Sequence, residues 1–228
     1  MRLTCFPLLL LALLSFANTT HALIAPQDLI FPAPDPELPN VRIVRTFRPE
    51  ALRIESRDGQ ILRSFTRGEL VHPLEVRSFT RDGAPWLGGS LILQDGNLFV
   101  IRLASKRLLV FDLETAELLS PPPPEEQRFF DFDSLPPPRL SEERLAGVHA
   151  KLNAKAMEHL RSPRLDERLV AARICGENDL REAIPILRDL ARNDPGYWKV
   201  TTSHLQRGRR VYPVREAAAE ALSRLENQ

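Results

Sequence analysis

The sequence predicts an α+β protein in which a small antiparallel β-rich module precedes a helical part. Short apolar runs separated by Asp-Gly pairs occupy residues 41–119, and a helical period takes over in residues 141–228. Between them, residues 120–140 are rich in proline, which removes backbone donors and fixes φ. We therefore expect strands first, a linker next and helices last.

Residues 1–22 predict a secretory signal peptide. Arg2 precedes an apolar run from Phe6 to Phe16, and the small residue Ala22 follows a polar stretch. This is the order of charged, apolar and cleavage regions in such peptides, and the run is shorter than the roughly 20 residues that cross a bilayer. We expect cleavage after Ala22, a periplasmic or secreted chain and no integral membrane span after cleavage. An uncleaved anchor is the alternative.

Charge and cysteine content narrow the class of protein. The chain has 31 Lys and Arg against 30 Asp and Glu, a balance unlike that of a general nucleic-acid binder. Of its two cysteines, Cys5 falls in the signal peptide, so Cys175 lacks a partner for an intramolecular disulfide. Cys175 lies in an apolar helical segment, where we expect a small core residue; a reactive thiol is the alternative.

Residues 23–40 are proline-rich without a sustained period and predict an extended lead-in. Residues 41–119 then predict an antiparallel meander. Asp58-Gly59 and Asp95-Gly96 each separate two runs of strand type, and such pairs favour hairpins because the turn needs positive φ. Alternation from Leu74 to Phe79 predicts a further strand.

Residues 90–119, with the ending "VFDLETAELL", resemble one blade of a β-propeller of the quinoprotein-like kind. A propeller needs at least about four blades to close, more than this chain can hold, so a small open sheet or sandwich is expected. Trp86 and Phe99 are expected to fill its core. A ligand platform formed by Trp86 beside Gly88-Gly89 is the alternative.

The linker carries two proline runs around an aromatic and acidic centre, "EEQRFFDFDS". We expect a spacer that Phe129, Phe130 and Phe132 pin to a neighbouring module. A polyproline ligand for another domain is the alternative.

Four helical stretches follow. Ser141 is expected to cap the first helix. Ser162-Pro163 predicts a cap and a proline at the first position of the second helix, which Gly176 is expected to end. Pro185 lies in the first turn of the third helix or kinks it. Small residues in the fourth, "VREAAAEALSRL", allow another helix to approach closely.

The motifs "AIPIL" (183–187) and "VREAAAEAL" (214–222) resemble HEAT-like repeats of the bacterial PBS-lyase type, in which "AIPxL" marks the first helix and "VRxxAAxAL" the second. "RLVAARIC" (168–175) superposes on 215–222 at an offset of 47. The resemblance implies two stacked helix pairs, with the β-rich module covering one end of the stack.

Repeats of this type run to about 30 residues, so the offset implies an insertion, the elongated loop 195–213. Insertions of this kind often emerge on the binding face, and aromatic residues and arginine are enriched at binding hot spots. The candidate binding residues are Tyr197, Trp198, Arg207, Arg209, Arg210 and Tyr212. They predict a partner with an acidic protein segment or a glycan. The alternative is that the aromatics pack back onto the helices while the arginines pair with Glu216 and Glu220.

The sequence carries no recognisable catalytic, metal or cofactor motif. His149 and His159 are ten residues apart, without the i+4 spacing of helical metal sites, and there is no glycine-rich phosphate loop or nucleophile elbow. We therefore expect a non-enzymatic adaptor of the bacterial envelope that binds a protein partner. The alternatives are an accessory subunit of a lyase or modifying enzyme, which rests on the HEAT-like resemblance alone, and a purely structural envelope component.

Overall fold

The computed structural model describes residues 28–44, 49–75, 87–123, 135–200 and 209–227. Over these residues the chain forms two four-stranded antiparallel sheets, a two-stranded hairpin and a set of helices. The predicted α+β class is confirmed at the level of antiparallel sheets combined with helices. The signal peptide, Trp86 and most of the linker, with its three phenylalanines, lie outside the described residues.

The outer sheet contains the first four strands in sequential order. They are β1 (Leu29–Phe31), β2 (Asn40–Ile43), β3 (Glu50–Glu55) and β4 (Ile61–Thr66). Strand β1 falls within the stretch expected to be an extended lead-in, and it pairs antiparallel with β2. Three residues are too few to show a period, so sequence alone could not reveal this strand. The β3–β4 connection has Gly59 at φ 88°, as the Asp-Gly pair predicts.

A short helix and a 3₁₀ turn follow β4. Helix α1 (Arg67–Leu70) begins with a capping box between Thr66 and Glu69. The 3₁₀ turn Pro73–Glu75 occupies the start of the segment where alternation predicted a strand, so that prediction is wrong at its beginning. The remainder of the predicted strand lies outside the described residues. The turn brings the Glu75 side chain inward, where it meets a buried arginine.

Glu75 and Arg107 form a buried ion pair. The Arg107 Nη2 lies 2.7 Å from Glu75 Oε2, and the Arg107 Nε donates to Oε1 at 2.9 Å. Ser105 Oγ and the backbone N–H of His72 also donate to this carboxylate. Burial acts to raise the pKa of Glu75, but these hydrogen bonds and the arginine charge outweigh it and lower the pKa. The pair ties the 3₁₀ turn to the inner sheet.

The inner sheet is a meander of four strands. They are β5 (Leu91–Asp95), β6 (Leu98–Arg102), β7 (Leu108–Asp112) and β8 (Glu117–Leu118). In β6, Leu98 and Val100 belong to a core shared with the helices, whereas Phe99 and Ile101 belong to a core shared with the outer sheet. Both faces of the sheet are therefore covered, which explains why its strands are continuously apolar rather than alternating. Phe99 is fully buried, as expected.

Four longer helices cover the other side of the inner sheet. They are α2 (Glu142–His159), α3 (Leu165–Glu177), α4 (Ile184–Asn193) and α5 (Pro213–Glu226). Ser141 caps α2 by accepting a hydrogen bond from the Arg144 N–H. The predicted cap at Ser162 is wrong, because α3 starts at Leu165 and its N-cap position, Arg164, makes no side-chain cap. Pro185 lies in the first turn of α4, where its missing N–H costs nothing.

Gly176 lies inside α3 rather than ending it. A Cβ built on Gly176 would lie 2.7 Å from both Cα and Cβ of Ala221 on α5, a separation that packed atoms do not reach. The glycine therefore allows α3 and α5 to pack closely, which agrees with the prediction that α5 admits a close neighbour.

The inner sheet and the helices share one hydrophobic core. Val148 and Leu152 of α2 are buried in the same cluster as Leu98 and Val100. At the two described ends of the proline-rich segment, the Arg139 N–H donates to the Leu119 carbonyl at 2.9 Å. Leu119 and Arg139, on either side of the linker, therefore lie next to each other, and the helices pack directly on the inner sheet.

Candidate functional site

The inserted stretch 195–213 forms a β-hairpin in its described parts. Strand β9 (Trp198–Val200) pairs antiparallel with β10 (Arg209–Val211), so that Trp198 lies opposite Val211 and Val200 opposite Arg209. Residues 201–208 between the strands, including the candidate Arg207, lie outside the described residues. Five of the six candidate binding residues are therefore placed on, or directly beside, two paired strands.

Asp194 anchors the base of this hairpin. Its carboxylate accepts hydrogen bonds from the buried Arg168 Nε at 2.6 Å and Nη2 at 3.1 Å. The Gly196 N–H also donates to it, at 2.8 Å. Arg215 Nε donates to the Asp194 backbone carbonyl at 2.8 Å. The two arginines that superpose in the repeat alignment, Arg168 and Arg215, thus converge on one residue and fix where the hairpin leaves the helices.

Gly196 lies close to three side chains of the anchor. A Cβ at this position would lie 2.7 Å from Leu165 Cδ1 and 2.9 Å from the Asp194 carboxylate. A larger residue here would require these side chains to shift.

The aromatic residues at the base stack with arginines. The rings of Tyr197 and Tyr212 are 6.0 Å apart at 55°. The Arg210 guanidinium lies 4.6 Å from the Tyr197 ring centre, and that of Arg215 lies 4.2 Å from Tyr212. These are cation–π distances. The stack holds Arg210 in place while leaving its guanidinium edge free to donate hydrogen bonds.

The opposite face of the hairpin carries exposed apolar side chains beside a cation. Trp198 is 49% exposed and Val200 is 42% exposed. Because side chains alternate along strands, Trp198, Val200 and Arg209 share one face. The sequence left open that the hairpin arginines pair with Glu216 and Glu220. In the structure, Glu220 instead forms an ion pair with Arg224 at 2.6 Å. Within the described residues, neither Arg209 nor Arg210 forms an ion pair.

A groove of about 580 Å³ lies between the hairpin and the inner sheet. Its apolar floor comes from α3 and α5 and comprises Leu169, Val170, Ile174, Gly176, Ala217 and Ala221. Trp198, the Gly88-Gly89 turn and Ala104 also line the groove. The two glycines considered as a ligand platform therefore line the same groove as the hairpin tryptophan, although Trp86 itself lies outside the described residues.

The charges that line this groove are mostly paired with one another. Glu177 binds Arg102 at 2.6 Å, and Glu220 binds Arg224. Asp166 is bound by Arg164 at 2.7 Å. Arg173 is exposed, and among the described residues it has no ion-pair or hydrogen-bond partner. Among the described residues, the positive charge of Arg173 thus has no counter-charge.

Other reactive side chains lie outside the groove. Burial, with a smaller contribution from Glu182, raises the pKa of Cys175 to about 12. This keeps Cys175 a protonated core thiol and argues against a reactive role. Burial, followed by the charge of Arg102, lowers the pKa of His149. Over the described residues, no group of three or more His, Cys, Asp or Glu side chains is arranged to hold a metal ion.

Sequence reasoning found the hairpin residues but missed Arg173, Asp194 and the groove. Arg168 and Arg215 occupy equivalent positions in the two superposed segments, and each needs a hydrogen-bond acceptor. This was the signal in the sequence that could have pointed to Asp194. Nothing local marks Arg173, which matters only once α3, α5 and the sheet are assembled.

Comparison with protein-family models, curated proteins and solved structures found no match to this chain. Over the described residues, none of the helices combines the length and apolar character needed to cross a bilayer. The site must therefore be interpreted from its own geometry.

Proposed function

We propose that this chain is an exported, non-enzymatic adaptor of the bacterial envelope that binds a protein partner through its hairpin and adjoining helices. The observation that carries the proposal is the exposed surface of Trp198, Val200, Arg209 and Arg210 on a hairpin held rigidly at its base. Adjacent exposed apolar side chains rimmed by polar residues are typical of protein interaction sites, and Trp198 and Val200 lie on one face of the hairpin beside Arg209. Arginine beside these side chains supplies donors for carboxylates.

The anchoring at Asp194 supports a binding role. Preorganised side chains lose little conformational entropy when a partner binds, which strengthens binding without additional contacts. The buried pair with Arg168 and the cation–π stack on Tyr197 and Tyr212 restrain the hairpin before any partner arrives.

Under the HEAT-like proposal, α2 with α3 and α4 with α5 are the two helix pairs. Helix α2 packs on α3, α4 on α5, and α3 on α5. In stacked helical repeats the surfaces between such pairs form extended binding faces. Under this proposal the groove on α3 and α5 and the hairpin belong to one binding face.

The proposal is tested in two stages. Crosslinking in cells followed by mass spectrometry identifies the neighbour and the contacting residues. The double variant Trp198→Ala with Arg209→Glu is then compared with the parent chain for capture of that neighbour. We expect capture to fall by roughly tenfold or more, the effect of a single hot spot, with little change in melting temperature because both side chains are exposed.

A control double variant replaces another exposed apolar residue by alanine and another exposed arginine by glutamate, away from the hairpin. Ile30 is 53% exposed on β1, and Arg192 is exposed on α4. Ile30→Ala with Arg192→Glu should leave capture unchanged. Equal loss in both double variants, or loss of capture only in proportion to unfolded protein, would count against the hairpin as a binding surface.

A further inference from the structure

We infer that the groove on α3 and α5 binds an acidic segment of the partner protein, with Arg173 as the anchor for a carboxylate. This inference rests on the proposed function and specifies the partner's chemistry. It stands on the charge balance of the groove, its floor of small and apolar residues, and its position beside the hairpin.

The charge argument follows from the ion pairs. Each of the three groove carboxylates, Asp166, Glu177 and Glu220, already has an arginine within ion-pair distance. A cationic ligand would meet carboxylates whose charge an arginine already offsets. An anionic ligand needs to break no ion pair, because Arg173 offers its guanidinium without a competing acid among the described residues. Charge complementarity therefore selects an acidic occupant.

The location of Arg173 favours a segment rather than an isolated anion. Its Nη1 would lie 3.9 Å from a Cβ on Gly89, so the Arg173 guanidinium lies beside the glycine turn of the groove. The buried side chains of Leu169, Val170 and Ile174 line the same groove. An occupant that contacts Arg173 and this apolar lining together carries a carboxylate beside apolar groups, which an acidic segment of the proposed protein partner provides and a small anion does not.

Arg102 has a structural role in the groove under this inference. Arg102 is buried and bound to Glu177, an ion pair that joins the inner sheet to α3. It fixes the separation of the two groove walls, so that Arg173 and the apolar floor keep a constant distance from the turn.

The test uses a displayed library of random peptides selected against the purified full chain. We expect recovered peptides to carry Asp or Glu next to aliphatic residues. A synthetic peptide from the selection should bind Arg173→Ala at least about tenfold more weakly than the parent. Converting the peptide's acidic residue to its amide should have the same effect, and combining both changes should add little. Arg192→Ala, an exposed arginine outside the groove, serves as the matched control and should bind normally.

The outcomes separate the two proposals. Peptides that lose binding with the Trp198→Ala and Arg209→Glu variant but not with Arg173→Ala overturn the groove inference and leave the adaptor proposal standing. Enrichment of peptides without acidic residues also overturns the groove inference. Failure to enrich any peptide overturns the groove inference, whereas the adaptor proposal is decided by the crosslinking and capture experiments. Acetate and citrate are also tested as competitors of the peptide. If either binds the groove as tightly as the peptide, and the aliphatic residues of the peptide add nothing to its affinity, the ligand is a small carboxylate and the proposed peptide segment is overturned.

Discussion

The inner sheet and the β9–β10 hairpin are both built from antiparallel pairs, but they use their apolar side chains in opposite ways. In the inner sheet every residue of β6 is buried, because the outer sheet covers one face and the helices cover the other. In the hairpin, Trp198 and Val200 are close to half exposed. The first region stabilises the fold, whereas the second leaves apolar surface available to another molecule.

The two regions also differ in what their ion pairs do. Glu75 and Arg107 lie almost wholly inside the protein and join a turn to the inner sheet. Asp194 and Arg168 are similarly buried but hold the base of a hairpin whose first strand carries the exposed Trp198 and Val200. Buried pairs of this kind add little net stability over apolar packing, although breaking one is costly. They are better understood as setting geometry, which in the second case is the geometry of an exposed surface.

The largest loss of stability should come from truncating a core side chain of the inner sheet. Phe99 is fully buried and packs against Phe31 and Phe111 with ring centres 5.4 and 6.2 Å away. Phe99→Ala should lower the free energy of unfolding by about 3–5 kcal/mol, through lost transfer energy and the cavity left behind. Urea unfolding followed by circular dichroism measures this. A loss below about 1 kcal/mol would mean that the two sheets do not pack as described.

An intermediate effect should appear in acid, from Glu75. Its pKa is lowered in the folded protein, so its charged form stabilises the fold above its unfolded pKa of about 4.3. That contribution is lost as the pH falls through the lowered, folded-state pKa. Glu75→Gln should be less stable than the parent at pH 7, since Arg107 loses its counter-charge. It should also lose less further stability on acidification.

Urea midpoints between pH 7 and pH 3 test this expectation. Glu37 is an exposed carboxylate in the loop before β2, so Glu37→Gln is the matched control and should follow the parent's pH dependence. If the urea midpoints of the parent and of Glu75→Gln depend on pH in the same way, the Glu75–Arg107 pair is not the source of the acid sensitivity.

Local signals in the sequence predicted local structure. Asp58-Gly59 and Asp95-Gly96 marked real turns, because positive φ is a property of the turn residues themselves. The helical period identified the stretches of α2 to α5, since an amphipathic pattern needs only its own segment. The hairpin candidates were identified from residue type and from the length of the inserted stretch.

Features that depend on a distant partner were not predictable. Gly176 looked like a helix end, but its role is contact with Ala221 on another helix. Glu75 looked like one position of an alternating strand, but Arg107 and Ser105 draw it into a buried network. The groove and its unpaired Arg173 need three separate elements to be assembled. No single stretch of sequence contains that information.

The smallest effect should come from Val200, and it distinguishes solvent exposure from contribution to binding within the hairpin. Val200 shares a face with Trp198 and Arg209 and is similarly exposed. Val200→Ala should change the free energy of unfolding by less than about 0.5 kcal/mol, as expected for a surface substitution. Valine is also under-represented at hot spots, and most interface residues cost less than about 1 kcal/mol when truncated. Partner capture should therefore fall less than about fivefold, well short of the loss with Trp198→Ala and Arg209→Glu. A stability loss as large as that of Phe99→Ala would place Val200 in a core and end the distinction between the two β regions.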